Sequence, residues 1–394
     1  MSYLPNKDRP LTTACPYFPE DEVDWLRGEL ADILHSRLSM GEKTAEFERK
    51  FSDYCSPDVR RHGIAVPSGT AALEVALRCL FLGEGDEVLV PCQTFIATAV
   101  AVCLVGATPV VTEIDPKTLN MDFEDALSKI TPKTRAVIIV HFGGSISPNI
   151  LYYIDKFHLK GLHVIEDAAH AHGATLNNRK AGTFGDLSCF SFYSTKVMTT
   201  GQGGMVLTDD SLRAEFARSL QNRGVSPDDP NKYITWSSNN QFTEIAASMG
   251  LSQLNCLPFF LYRRRVVAKI YDRLFIGNKF FTPIMPDVRC DSSYWRYTVV
   301  INGFYFEPAW TKLAIRKKLS DALLQDGIHI DWPYIPIHQQ PAMVTKLGHV
   351  SLPRSEETLQ HHICLPMHAR LEPEDAEYVF ERLMFYTRDL QWVS

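Results

Sequence analysis

Leu162-His163-Val164-Ile165-Glu166-Asp167, then Phe190-Ser191-Phe192-Tyr193-Ser194-Thr195-Lys196 leading into Gly201-Gln202-Gly203-Gly204, is the stretch on which the fold turns. Each half is a short apolar run that reads as a buried strand ending abruptly in a polar group. Asp167 ends the first run and Lys196 the second. Outward from them, strand and helix patterns alternate. Residues 64–66, 87–91, 109–113, 136–141 and 162–165 read as strands, and 122–130 and 151–159 as helices. That βαβ rhythm calls for an α/β fold with a mostly parallel, doubly wound sheet. Ligands of such sheets sit beyond the carboxyl ends of the strands, so Asp167 and Lys196 point at one site.

A lysine and an aspartate at neighbouring strand ends suit pyridoxal 5′-phosphate (PLP). The lysine forms a Schiff base with it, and the carboxylate keeps the pyridine nitrogen protonated so that the ring acts as an electron sink. Taken singly the two residues say little, since a lysine after a strand is usually solvated and an aspartate there is commonly a turn former. Here Phe190, Phe192 and Tyr193 precede the lysine, and a Gly-rich turn with the apolar run 204–208 follows it. Such surroundings desolvate an amine and lower its pKa.

The strings Glu166-Asp167-Ala168-Ala169-His170-Ala171-His172-Gly173-Ala174, Phe184-Gly185-Asp186 and Phe190 to Lys196 resemble those of the DegT/DnrJ/StrS-type sugar aminotransferases. These are fold-type I PLP enzymes of the aspartate aminotransferase superfamily. The likeness runs from about residue 25 to the C-terminus. It implies that Lys196 anchors the cofactor and then serves as the general base, with Asp167 on the pyridine nitrogen. It implies a phosphate cradle of Gly69, Thr70 and Ala71 with Ser191, a ring stack by Phe95, and His170 (where Gln is more usual) beside the phenolic oxygen. Asn239 would cross a homodimer interface to the other copy's phosphate, and Gly41 and His338 would lie near substrate. Val197, Asn240 and Gln241 depart from the family pattern.

The implied reaction moves an amino group from an amino acid, glutamate in the first instance, through pyridoxamine 5′-phosphate to a keto sugar. The stretch Met198-Thr199-Thr200-Gly201 resembles a branch acting on GDP-linked 4-keto-6-deoxy sugars. A keto-cyclitol or related substrate without a nucleotide is the alternative, as is a PLP sugar dehydratase, although those replace the lysine with histidine. Read without the resemblance, Ser68-Gly69-Thr70 opens a helix whose free N–H groups suit an anion, or is simply a capped helix start.

At 394 residues the chain exceeds one compact core. We expect an N-terminal arm (1–20), a large PLP-binding domain (21–258) and a small C-terminal α+β domain (259–394). A helix beginning at Thr243 should stop near Pro258. The small domain should hold strands at 297–301 and 328–331 and helices at 308–326 and 373–385. A net charge of −6, and Arg263-Arg264-Arg265 without interleaved aromatics, argue against a nucleic-acid partner. Nine cysteines without a C-x-x-C pair fit a reducing cytoplasm and no zinc ribbon. No secretory leader is expected, and the apolar run 95–111 is too interrupted for a membrane span, reading as a helix, a stop at Gly106 and a strand.

A metal site built from His141, Asp167, His170 and His172, with the two later histidines sharing a strand face, is the rival chemistry. It leaves Lys196, Ser191 and the Ser68 turn without roles. A non-catalytic regulator is a third reading, opposed by the intact Lys196 and Asp167.

Overall fold

The computed structural model describes residues 10–306, 311–332 and 334–390. In chain order the first part holds α1 (Glu20–Leu34), α2 (Glu42–Cys55), β1 (His62–Val66), α3 (Gly69–Cys79), β2 (Glu87–Pro91), α4 (Ala97–Leu104), β3 (Thr108–Thr112), α5 (Phe123–Ser128), β4 (Thr134–Val140), α6 (Ile150–Leu159) and β5 (His163–Asp167). The two-residue strands β6 (Thr175–Leu176) and β7 (Arg179–Lys180) follow, then β8 (Leu187–Ser191), β9 (Gly204–Thr208), α7 (Ser211–Gln221) and α8 (Glu244–Leu274). The remainder is β10 (Phe281–Pro283), β11 (Cys290–Asp291), β12 (Tyr297–Ile301), α9 (Lys312–Gln325), α10 (Pro341–Leu347), α11 (Pro353–Leu359), β13 (His362–Leu365) and α12 (Pro373–Arg388).

Seven strands form the main sheet in the order β1-β9-β8-β5-β4-β2-β3. Only β9 runs against its neighbours, pairing antiparallel with both β1 and β8. Every residue of β8 and β9 is buried, as are the apolar residues of β2, β4 and β5. Strands covered on both faces read as continuous apolar runs, which is why the sequence displays them as blocks without alternation. Helix starts are fixed by side-chain caps: Ser68 for α3, Asp122 for α5, Asp210 for α7 and Thr243 for α8. Gly106, at φ 89°, turns the chain from α4 into β3 as the 95–111 reading requires. A second, antiparallel sheet, β10-β12-β13, packs with α9 and α12 around its own apolar core.

Three expectations need correction. The helix does not stop near Pro258: α8 runs unbroken for 31 residues, so the 258/259 boundary falls inside one helix. An interior proline removes one ladder bond and crowds the carbonyl four residues back. That cost is offset because α8 packs on α1 and α2 before the proline and on α12 after it. Residues 328–331 are no strand and make only the isolated bridges Leu11↔Ile328 and Asp331↔Cys364. Lys196 does not end a strand either, since β8 stops at Ser191 and the lysine lies in the turn beyond. The expected start of α9 at Pro308 lies outside the described residues; within them Thr311 caps the helix. Among the described residues no helix is long and apolar enough to cross a membrane.

Candidate active site

The pairing registers put the ends of β1, β5 and β8 and the start of β9 along one edge of the sheet, with Val66 and Ser191 both opposite Gly204. A cavity of about 430 Å³ opens there. Ser68, Gly69, Thr70, Phe95, Asp167, His170, Ser191 and Lys196 all line it, together with Trp295, Arg296 and Tyr334 from beyond α8.

The α3 N-terminus is shaped by close approach. A Cβ on Gly69 would lie 2.8 Å from Cβ of Ser191, and one on Gly204 would run into the Ser68 carbonyl, so neither position tolerates a side chain. Gly69 and Thr70 belong to the first helical turn, whose N–H groups lack intrahelical acceptors. Ala71 is different. Its N–H donates to Ser68 Oγ at 3.1 Å, so the cap has taken the group that the phosphate was expected to use. Ser191 Oγ accepts the Tyr193 N–H at 3.4 Å, which leaves its own proton to donate.

Asp167 is buried. Its Oδ2 accepts from Thr98 Oγ1 at 2.9 Å and its Oδ1 from the Ala169 N–H at 3.2 Å. Burial nonetheless raises its pKa, against the pull of these donors and of Lys196. Lys196 is shifted the other way, to about 7, chiefly by burial; Asp167 opposes the shift and Arg296 adds to it. Its Nζ stands 4.5 Å from the centre of the Trp295 ring. Trp295 Nε1 donates to the Thr195 carbonyl at 2.8 Å, which ties the indole to the lysine turn. His170 stacks on the other partner of this assembly, its ring 3.6 Å from Trp295 and 12° from parallel. Its charged form is suppressed by burial, then by Lys196 and Arg296, so it is a neutral imidazole whose Nδ1 has no partner. Phe95 is half exposed and its ring lies 5.6 Å from Tyr334.

Not every candidate joins the cavity. Asn239 is exposed, accepts the Gln241 N–H at 3.4 Å, and is absent from the walls of its own chain's site. Gly41 donates to Glu244 Oε1 at 2.9 Å, and a Cβ there would strike that carboxylate, so its smallness serves the packing of α2 on α8. His338 is buried away from the cavity with Nε2 2.9 Å from Glu356 Oε1. The four-residue metal reading also comes apart. His170 and His172 lie in turns, not on a strand, and point into different surroundings. His172 sits among Phe51, Phe190 and Phe192 with both ring nitrogens unpartnered, and His141 is bonded to Glu166 at 2.9 Å. Among the described residues no three His, Cys, Asp or Glu side chains are grouped to hold a metal ion.

Sequence reasoning missed Thr98, Trp295, Arg296 and Tyr334. The only signal for the middle pair was an aromatic and a cation at the head of the β12 run, which many solvated strand starts share.

The residues fit PLP. A helix N-terminus beside a serine hydroxyl suits a phosphate, and a buried carboxylate destabilised by burial suits a protonated pyridine. The unpartnered His170 nitrogen suits a phenolic oxygen, and a desolvated lysine suits an aldehyde. The model of the DegT/DnrJ/EryC1/StrS aminotransferase family matches residues 23–384. A dTDP-4-dehydro-2,3,6-trideoxy-D-glucose 4-aminotransferase of Saccharopolyspora spinosa is 32% identical, over 92% of this chain and 92% of its own. The GDP-perosamine synthase of Caulobacter vibrioides is 35% identical over 97% of this chain and 99% of its own. Among solved structures, Helicobacter pylori PseC, an aminotransferase of pseudoaminic acid biosynthesis, superposes with a TM-score of 0.87 at 26% identity, covering 97% of this chain and 100% of that one. The PMP form of Spr1654 of Streptococcus pneumoniae gives 0.87 at 28%, covering 96% and 98%.

Proposed function

The chain belongs to the DegT/DnrJ/EryC1/StrS aminotransferase family, and on that premise we propose that it aminates a nucleotide-linked 4-keto-6-deoxy sugar with glutamate as donor. That it is a PLP-dependent enzyme turning a keto sugar into an amino sugar follows from the family and from its sugar-aminotransferase relatives. The finer acceptor rests on two relatives named for nucleotide-linked sugars. The observation that carries the chemistry is a single cavity lined by Lys196, Asp167 and the α3 N-terminus together.

PLP, when bound, supplies the electron sink that lets a Cα–H bond be broken. The chain does the rest. Asp167, held by Thr98 and Ala169, would supply the negative charge that keeps the ring nitrogen protonated. Lys196 Nζ, with a pKa near 7, removes the proton from the donor Cα and returns one to the sugar carbon that gains nitrogen. Gly69 and Thr70 N–H groups and the Ser191 hydroxyl would take the phosphate, and Trp295 and Tyr334 line the same cavity. A second copy of the chain would complete the site through Asn239. Exposed Trp25, Leu30 and Leu34 on α1 and Ile245, Phe259 and Tyr262 on α8 offer the apolar surface for that homodimer. Nine free thiols support a cytoplasmic location.

The test is a screen of GDP-, dTDP- and UDP-linked 4-keto-6-deoxy sugars against the pyridoxamine-loaded protein, following recovery of the PLP absorbance. One nucleotide series should restore it. Recovery with free keto-cyclitols alone would overturn the acceptor assignment.

A further inference from the structure

A transaminase cavity takes two unlike molecules in turn: an amino acid bearing carboxylate, and a sugar whose reacting carbon is uncharged. Among the described residues its walls carry two side-chain cations, Lys196 and Arg296, since the His170 ring is neutral. Lys196 is committed to the cofactor and the proton. Arg296 is the cation left to read charge.

Its placement suits that task. The guanidinium lies 4.1 Å from the centre of the Trp295 ring, the same indole that Lys196 faces. The side chain is only 10% exposed, and Nη1 donates to the Thr13 carbonyl at 2.7 Å, so the fork is held in place. Nη2 is 3.1 Å from Oδ2 of Asp331, whose side chain is 47% exposed and whose Oδ1 takes the Trp332 N–H at 2.8 Å. A rigid, nearly buried guanidinium is thus matched with a carboxylate half in water. An ion pair with one solvated partner is weak and readily exchanged, whereas a buried guanidinium without any anion is costly.

We propose that Arg296 recognises a carboxylate of the amino-acid donor, and that Asp331 occupies this place while the uncharged keto carbon of the sugar reacts. The exchange lets one cavity serve both halves of the cycle without leaving the guanidinium unpaired. It rests on the amino-acid donor proposed above.

Separate half-reactions of the full chain test it. With the PLP form and glutamate, Arg296→Met raises the donor concentration giving half the maximal rate by about ten- to a hundredfold, the worth of a charged hydrogen-bond pair. Arg296→Lys, which keeps the charge but loses the fork, falls between. The pyridoxamine form with its keto sugar loses several-fold less than the glutamate half-reaction, because the influence of Arg296 on Lys196 is common to both halves while the keto carbon makes no use of the cation. Asp331→Asn lowers the glutamate requirement by removing the competitor; a rise or no change there overturns the exchange. Equal loss in both half-reactions makes Arg296 a packing residue and overturns recognition. Loss confined to the sugar half-reaction assigns it to the nucleotide phosphates and does the same.

An equilibrium measurement decides independently of turnover. By tryptophan quenching, the apoprotein should bind N-phosphopyridoxyl-glutamate more tightly than N-phosphopyridoxyl-ethylamine, and Arg296→Met should abolish the preference. An unchanged preference overturns the proposal. A wild type silent towards glutamate fails as a transferase of that donor, and the conjugate comparison still judges Arg296 separately.

Discussion

Lys196 and Asp167 line one cavity, where burial pushes the amine down to about 7 and the carboxyl up. The lowered lysine gives a sign that can be checked. Burial favours the neutral amine, so nucleophilicity appears as pH rises through about 7 and not through the ordinary value of 10.5. Reductive methylation of the apoprotein, mapped by peptide, should label Lys196 with a midpoint near 7; a midpoint near the ordinary value would contradict its desolvation. Asp167→Asn keeps the shape and the Thr98 contact but removes the charge, and should slow the glutamate half-reaction by about three powers of ten while PLP still binds. Near-normal turnover would reduce Asp167 to a turn residue. That both groups would meet at one cavity was legible in the apolar runs that precede them, although Lys196 lies in the turn beyond β8 and does not end a strand. Arg296 and Tyr334 were not, because only the tertiary fold carries them from beyond α8 to the far edge of the main sheet, and nothing in their own neighbourhoods records that meeting.

Among the elements, the turn between β7 and β8 has its N–H groups gathered by one buried carboxylate, while Arg61 takes the carbonyls of Gly182, Thr183 and Gly185. Glu166, fully buried, accepts from the N–H groups of Gly182, Phe184 and Gly185, from Ser188 Oγ, and pairs with His141. These partners overcome burial and hold its carboxyl at about 2, below the ordinary 4.5. A depressed acid stabilises the fold fully above its unfolded value and loses that contribution as pH falls from 4.5 towards 2. Glu166→Gln should therefore cost about 3 kcal/mol at neutral pH in a urea titration and flatten this part of the acid limb. A loss below about 0.5 kcal/mol would show that the turn stands without it. The strands were readable as apolar blocks and the helix starts as caps. Pro258 misled because the rule that proline ends helices is local, and the packing on both sides of it is not. Residues 328–331 misled because Ile328 and Ile330 are core residues of an irregular segment bridged to Leu11 and Cys364, whose apolar alternation imitates a strand.

For the molecule as a whole, the apolar surface of α1 and α8 and the exposed Asn239 lead to one prediction on assembly. Lys196→Ala lacks the anchor, and Asn239→Asp sets a negative charge against the other copy's phosphate, so each alone should be nearly inactive. Mixed after subunit exchange, they should regain activity in the one site of each heterodimer that joins an intact Lys196 to an intact Asn239. A mixture that stays inactive after proven exchange, or a fully active monomer in sedimentation, would defeat the shared site. The composition changes along α8 while the backbone carries straight on, so the expected 258/259 boundary meets no break in the chain. At 1.5 Å per residue that helix is a rod of about 46 Å. Its first half is buried with the main sheet's core and its second half, through Val267, Ala268 and Tyr271, with the core of the smaller sheet. A spine common to both cores leaves no slack at which one could melt while the other endures, so calorimetry should record a single endotherm whose van't Hoff and calorimetric enthalpies agree per chain.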